Sequence, residues 1–203
     1  MPIGLATGAK AHGLAERGRD LYETPAAAIA ALLQVETLPH RIWEPAAGRG
    51  AIVRLLRAAG HHVIATDLAS GTDFLACRRP RGHADAIVTN PPLQIAAAFA
   101  QHACALVPYV ALLLPWRFWE AGTGRHAAAR ARRQVLDMTP PARAYPFANR
   151  LPMMHRDGWT GPRSRSAMAF GWFVWDRRPG RVHAPGTLVR RIRWTESLHK
   201  RKS

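Results

Sequence analysis

The 203-residue sequence has only two cysteines, Cys77 and Cys104, far apart and without CxxC spacing. Neither a disulfide framework nor a thiolate zinc site is expected from them. The ten histidines are scattered, and His61-His62 has no partner at metal-ligand spacing, so no metal is expected. No stretch approaches transmembrane length, and the N-terminus lacks the basic-then-apolar pattern of a signal peptide. These absences lead to the expectation of a reduced, cytoplasmic setting with no membrane partner. Acidic side chains are scarce as well: 13 Asp+Glu stand against 29 Lys+Arg, a formal net charge of +16. A Lys-Ser/Thr phosphate loop is also missing, which argues against a ligand held by its phosphates.

What is present is a chain of one-domain length with 48% hydrophobic residues, enough for a real core. Its charge is uneven. Residues 1–116 carry 10 Lys+Arg against 8 Asp+Glu, whereas residues 117–203 carry 19 against 5. A near-neutral half joined to a strongly basic half suggests a catalytic part coupled to a polyanion-binding part, with nucleic acid as the partner. Arginine supplies most of the charge and suits phosphate forks and base stacking better than lysine.

The pattern predicts a flexible segment over 1–19, a domain over 20–194 and a loose basic tail over 195–203. Thr24 is placed to cap a helix with Pro25 at its first position, running through the Ala-rich stretch to Leu33. Strand candidates are Arg41 to Trp43, His62 to Thr66, Ala84 to Val88, Val110 to Leu114, Met168 to Trp175 and Leu188 to Trp194. Helices are expected after Gly50, from Gln94 to Leu106, and from Gly122 to Arg133. Residues 139–167 read as a long, basic, proline-stiffened loop, the size of a small recognition element. Arg150, Arg156, Arg163 and Arg165 are its candidate nucleic-acid contacts.

Two stretches carry chemistry. Glu44-Pro45-Ala46-Ala47-Gly48-Arg49-Gly50 lies between a strand and a helix, where glycines let the backbone approach a small molecule. Asp67 ends the next strand, 17 residues after Gly50, placed to accept from ribose hydroxyls. The dinucleotide fingerprint is incomplete, because no third glycine follows Gly48 and Gly50 at its spacing, so the ligand reads as a nucleoside. Asp73 and Phe74 read either as an adenine-flanking pair or as a surface turn followed by a core ring. The second stretch is Thr89-Asn90-Pro91-Pro92-Leu93. Two prolines end the strand sharply, and Asn90 before a proline is pushed toward an extended conformation. That corner offers two neutral acceptors, the Asn90 side-chain oxygen and the Pro91 carbonyl, which suit the hydrogens of a planar amine. Trp116, Phe118 and Trp119, with Arg117 among them, read either as core or as stacking platforms for bases.

Together these residues resemble the S-adenosylmethionine-dependent amino-methyltransferases, most closely small phage- and bacterial-type DNA adenine methyltransferases. The resemblance implies an α/β fold of the Rossmann-like class I methyltransferase type, with a mostly parallel seven-stranded sheet and helices on both faces. It implies S-adenosyl-L-methionine as cofactor, held by Tyr22, Thr24, Pro25, Glu44, Pro45, Ala46, Gly48, Gly50, Asp67, Asp73 and Phe74. Asn90, Pro91, Pro92 and Leu93 match the catalytic tetrapeptide, although the family's fourth residue is normally aromatic. The implied activity is methylation of adenine in DNA. RNA adenine, a protein glutamine, or a non-catalytic nucleic-acid-binding protein are the alternatives.

Overall fold

A computed structural model describes residues 24–120, 124–151, 168–180 and 186–194. Segment 1–19, tail 195–203 and residues 152–167 of the expected recognition loop lie outside them. Seven strands form one sheet: β1 (Arg41–Glu44), β2 (His62–Ala65), β3 (Ala86–Thr89), β4 (Tyr109–Pro115), β5 (Arg143–Pro146), β6 (Phe170–Asp176) and β7 (Leu188–Val189). Their spatial order is β2-β1-β3-β4-β6-β5-β7. The first four are mutually parallel, β6 runs antiparallel between β4 and β5, and β7 lies parallel to β5.

The helices α1 (Ala26–Val35), α2 (Ala51–Ala58), α3 (Ala96–Leu106) and α4 (Ala127–Arg133) cover both faces. Side-chain alternation along the strands divides the core accordingly. Ile42, Val63, Ala86, Val88, Ala111, Leu113 and Trp172 pack with α1 and α2 on one face. Trp43, Ile87, Val110, Leu112, Leu114 and Phe173 pack with α3 and the α4 region on the other. β3, β4 and β6 are buried at every position, which is why they read as continuous apolar runs rather than alternating ones. Among the described residues no helix is long and apolar enough to cross a membrane.

Three local expectations change. Helix α1 begins at Ala26 with Pro25 as its N-cap, φ −60° and ψ 137°, and without a side-chain capping bond. Thr24 is therefore one position too far out to serve as the cap. Arg143–Pro146, inside the expected loop, is a strand between β6 and β7. Its proline and arginine mask it in the sequence, although Ala144 and Tyr145 are buried. The last strand is only Leu188–Val189, with a single further bridge from Ile192 to Phe147.

At the amino end of the parallel strands, a charged network ties α1 to the antiparallel half. Glu36, the C-cap residue of α1, accepts from Tyr109 Oη (2.9 Å), Tyr145 Oη (2.6 Å) and the Arg143 guanidinium. Arg143 Nη2 also donates to Asp176 (2.7 Å), which accepts from Arg178 Nε and Nη2 at 2.7 and 2.8 Å. Burial opposes the charge on Asp176, but the Arg178 and Arg143 hydrogen bonds win and hold its carboxyl far below the usual range. A carboxyl depressed in this way stabilises the fold above its unfolded pKa, about 3.9, and that contribution is lost as pH falls toward the folded value. Asp176→Asn is expected to cost about 3 kcal/mol in urea unfolding at pH 7, because it takes the carboxylate from Arg178 and leaves Arg143 with Glu36 alone. The variant should also lose less stability than the wild type between about pH 4 and pH 2.

Candidate active site

The chain leaves β1 for β2 on one side and returns to β3 on the other. The gap between the carboxyl ends of β1 and β3 is thus the point where strand order reverses, and open α/β sheets bind ligands there. Glu44 ends β1 and Thr89 ends β3. Their parallel register, Ile42 beside Ala86 and Trp43 beside Ile87, brings the two side chains together. Thr89 Oγ1 donates to Glu44 Oε1 at 2.5 Å, and the Ala46 amide donates to the same oxygen at 3.0 Å. One buried hydrogen bond therefore joins the glycine loop to the Asn-Pro-Pro corner.

Glu44 is 0% exposed, and its second oxygen, Oε2, is buried with no hydrogen-bond partner. Burial pushes the carboxyl up to about 8, against the Thr89 and Ala46 hydrogen bonds and with a smaller push from Asp67. An unpaired buried carboxyl oxygen is costly, by about 1–3 kcal/mol or more. It calls for a donor from outside the chain, and a cationic one would also relieve the charge burial.

Below Glu44 the loop turns through Gly48 (φ 50°) and Gly50 (φ 81°), both left-handed. Gly50 is the N-cap of α2, so a side chain there would be strained at the helix start. Pro45 is buried, and Ala46 packs against the α3 face. Asp67 closes the loop: Oδ2 accepts from the Gly48 amide at 2.9 Å and Oδ1 from the Ala69 amide at 2.8 Å. A carboxylate has about four lone-pair sites, so acceptor capacity remains for ligand hydroxyls. Thr66 backs the loop, accepting from Trp43 Nε1 at 2.8 Å and, through its carbonyl, from the Ala47 amide at 3.0 Å.

Asp73 caps a short 3-10 turn through the Leu75 amide (2.9 Å). Phe74 differs from the ligand-facing expectation. Its ring is 3% exposed, packed against Trp43, Phe99 and His102 at centroid distances of 5.2, 4.3 and 4.9 Å. Of the two readings open in the sequence, the core ring is the observed one. The apolar side chains left at the rim are Leu68, 73% exposed directly after Asp67, and Leu75, 37% exposed. A single leucine after an acid has no pattern that would single out Leu68, and Thr89, although part of the Thr89-to-Leu93 stretch, carries no sequence signal for its bond to Glu44.

The corner follows directly on β3. Asn90 is half-buried, Pro91 is buried and Pro92 is exposed. Leu93 opens a 3-10 turn into α3 and leans on the apolar cluster of the α1–α2 face. At the end of neighbouring β4, Phe118 is core, while Trp116 and Trp119 are half-buried. All three pack on Phe173, at 5.5, 5.6 and 5.2 Å for Trp116, Phe118 and Trp119. Trp119 Nε1 is buried without a partner. Arg117 is exposed between them, and Arg150 is exposed within the recognition stretch. Thr24 is buried and Pro25 half-buried at the head of α1. Tyr22, Arg156, Arg163 and Arg165 lie outside the described residues. Among the described residues no group of three His, Cys, Asp or Glu side chains could hold a metal ion.

No protein-family model and no curated protein matches the sequence. Solved structures do resemble it. One is described as a modification subunit of a type I restriction enzyme from Vibrio vulnificus, with TM-score 0.51 and 13% identity. The match covers 87% of this chain but 48% of that one, so this chain spans about half that subunit's length. A protein described as an RNA methyltransferase from Pyrococcus horikoshii gives 0.49 at 13% identity, over 78% of this chain and 87% of that one. At such identities the likeness is one of fold.

Glu44 supplies a direct check of this site. Its raised pKa means the folded state retains a proton that the unfolded chain releases between about pH 4.3 and 8. Stability of the free protein should therefore fall as pH rises through that window. Glu44→Gln is expected to flatten this slope in thermal melts taken from pH 5 to 8.

Proposed function

We propose that this chain, which has the class I methyltransferase fold, uses S-adenosyl-L-methionine to methylate the exocyclic amino group of adenine in DNA. The supporting observation is the Thr89–Glu44 hydrogen bond, which fixes a nucleoside-type loop and an Asn-Pro-Pro corner on either side of one crevice. The residues present fit the cofactor. The partnerless Glu44 Oε2 answers the need for a cationic donor such as an amino-acid ammonium. Asp67, already braced by two backbone amides, has lone pairs for ribose hydroxyls. Leu68 offers apolar surface for an adenine face, and Asp73 an acceptor at its edge.

The bound cofactor supplies an electrophilic methyl group on a sulfonium. What this chain contributes is the geometry of the acceptor. Asn90 and the Pro91 carbonyl take the two amine hydrogens, favouring a pyramidal nitrogen whose lone pair leaves the ring. The acceptors are neutral and preorganised, so they stabilise the reacting geometry without removing a proton first. Pro91, buried, and Pro92, at the start of the following turn, keep the corner stiff. The base is extruded from its stack at a cost of a few kcal/mol, offset by phosphate contacts and stacking. Trp116, Trp119 and Arg117 are assigned to the nucleic-acid side, together with Arg150, Arg156, Arg163 and Arg165 of the recognition stretch.

Leu93 favours a second reading. It gives contact area without a π face, so a non-catalytic nucleic-acid-binding protein built on the same fold is the alternative. Incubation with tritiated cofactor and separated DNA, RNA and protein acceptors distinguishes them. Label in DNA recovered as N6-methyladenine is the expected result. Label in RNA or in protein glutamine would move the acceptor, and cofactor binding without transfer to any polymer would favour the second reading. Asn90→Ala should reduce transfer at least ~100-fold while cofactor affinity stays within a few fold. Asp67→Ala should instead weaken cofactor affinity first, read by calorimetry.

A further inference from the structure

Residues 1–116 look electrically neutral as a block, but their charge is locally concentrated. Arg78, Arg79 and Arg81 fall within four positions of one loop. All three are exposed, and all three line one cavity of about 660 Å³ beside the β2 edge, with Asp73 at its other wall. The other described arginines of this half are engaged within the protein. Arg41 pairs with Asp85 at 3.2 Å, Arg57 donates to the Val63 carbonyl, and Arg49 and Arg54 are bonded. Among the described residues Arg78, Arg79 and Arg81 have no such partner.

The loop that carries them is fixed at both ends. The Cys77 carbonyl lies 2.8 Å from His102 Nε2 of α3, and the Ala84 and Asp85 amides donate to Arg81 and Arg41 carbonyls. Between these anchors Gly82 (φ 57°) and His83 (φ 53°) are consecutive left-handed residues. A Cβ at Gly82 would meet Ile64 Cγ1 of β2 at 2.8 Å, so only glycine lets the loop lie this close to the sheet. Three like charges held on a stiff loop repel one another, and the fold gains nothing visible from them. A guanidinium cluster around one cavity matches a run of phosphodiesters, each bound by a planar fork.

We infer that Arg78, Arg79 and Arg81 form a phosphodiester-binding site for the nucleic acid being modified, at the sheet edge opposite the recognition stretch. The site rests on the nucleic-acid reading above and deepens it: the polymer is held on both flanks of the β1–β3 crevice. The β2 flank supplies sequence-independent grip.

The test is fluorescence anisotropy of a labelled oligonucleotide across a salt series, with wild type and the triple variant Arg78→Gln, Arg79→Gln, Arg81→Gln. Each lost phosphate contact removes about 0.9 from the slope of log affinity against log salt on duplex, or about 0.7 on single strand. The triple variant should therefore show a slope shallower by about 2 to 3, and affinity at least tenfold weaker at about 0.1 M salt. Cofactor affinity and melting temperature should hold or rise. The triple lysine variant should recover most of the slope, and bound oligonucleotide should protect the Arg78–Arg81 peptide from phenylglyoxal. An unchanged slope with wild type binding normally would overturn this site alone. Loss of cofactor affinity with an unchanged slope would reassign the arginines to the cofactor pocket. Equal competition by polyglutamate would make the partner an acidic protein, and a wild type that binds no nucleic acid would sink the site and the substrate reading together.

Discussion

A carboxyl group with no exposure, one satisfied oxygen and one orphaned oxygen sits at the centre of this molecule. Glu44 is the residue through which the β1 loop and the β3 corner share a position. Without the Thr89 bond, the crevice walls would be two independent turns on adjacent strands. The same burial that raises the Glu44 pKa to about 8 makes the site responsive to what enters it. A cation arriving beside Oε2 would favour the ionised form, so ligand entry and proton release become linked at neutral pH.

The opposite end of the sheet is built on the reverse principle. Around Glu36 and Asp176 every acid is matched by arginine or tyrosine donors, and the side chains of both carboxylates are almost fully buried. Satisfied charge there locks α1 onto β4, β5 and β6, with Trp172 Nε1 donating to the Ala28 carbonyl as a second tie (2.9 Å). At the carboxyl end, by contrast, Glu44 Oε2 is buried without a partner, and among the described residues Arg78, Arg79 and Arg81 beside β2 are unpaired. The paired network thus lies at the amino end of the parallel strands and the Glu44–Thr89 pair at their carboxyl end, a division that lets loops at the carboxyl end vary without loosening the fold.

Much of the site was legible because strand-end chemistry has strong local signatures. Asn-Pro-Pro after an apolar run, Gly-x-Gly between strand and helix, and an acid closing the next strand each correspond to an observed turn. The misses have physical reasons. Arg143–Pro146 is a strand whose end positions are an arginine turned in to Glu36 and a proline, so its apolar pattern is reduced to Ala144 and Tyr145. Phe74 belongs to the core because the turn after Asp73 folds its ring inward between Trp43 and Phe99, a matter of tertiary packing invisible in the sequence. The arginine loop is hidden in a half-chain charge average, where 10 Lys+Arg stand against 8 Asp+Glu over residues 1–116.

The coupling between loop and corner can be measured directly with Thr89→Val, which keeps the side-chain shape and removes the hydroxyl bound to Glu44. Calorimetric titration of that variant with S-adenosylhomocysteine should give affinity about tenfold weaker than wild type, the equivalent of about 1.4 kcal/mol for a buried hydrogen bond to a carboxyl. Unchanged affinity in a folded Thr89→Val protein would mean that the two walls of the crevice stand independently, and the account built on Glu44 would be wrong.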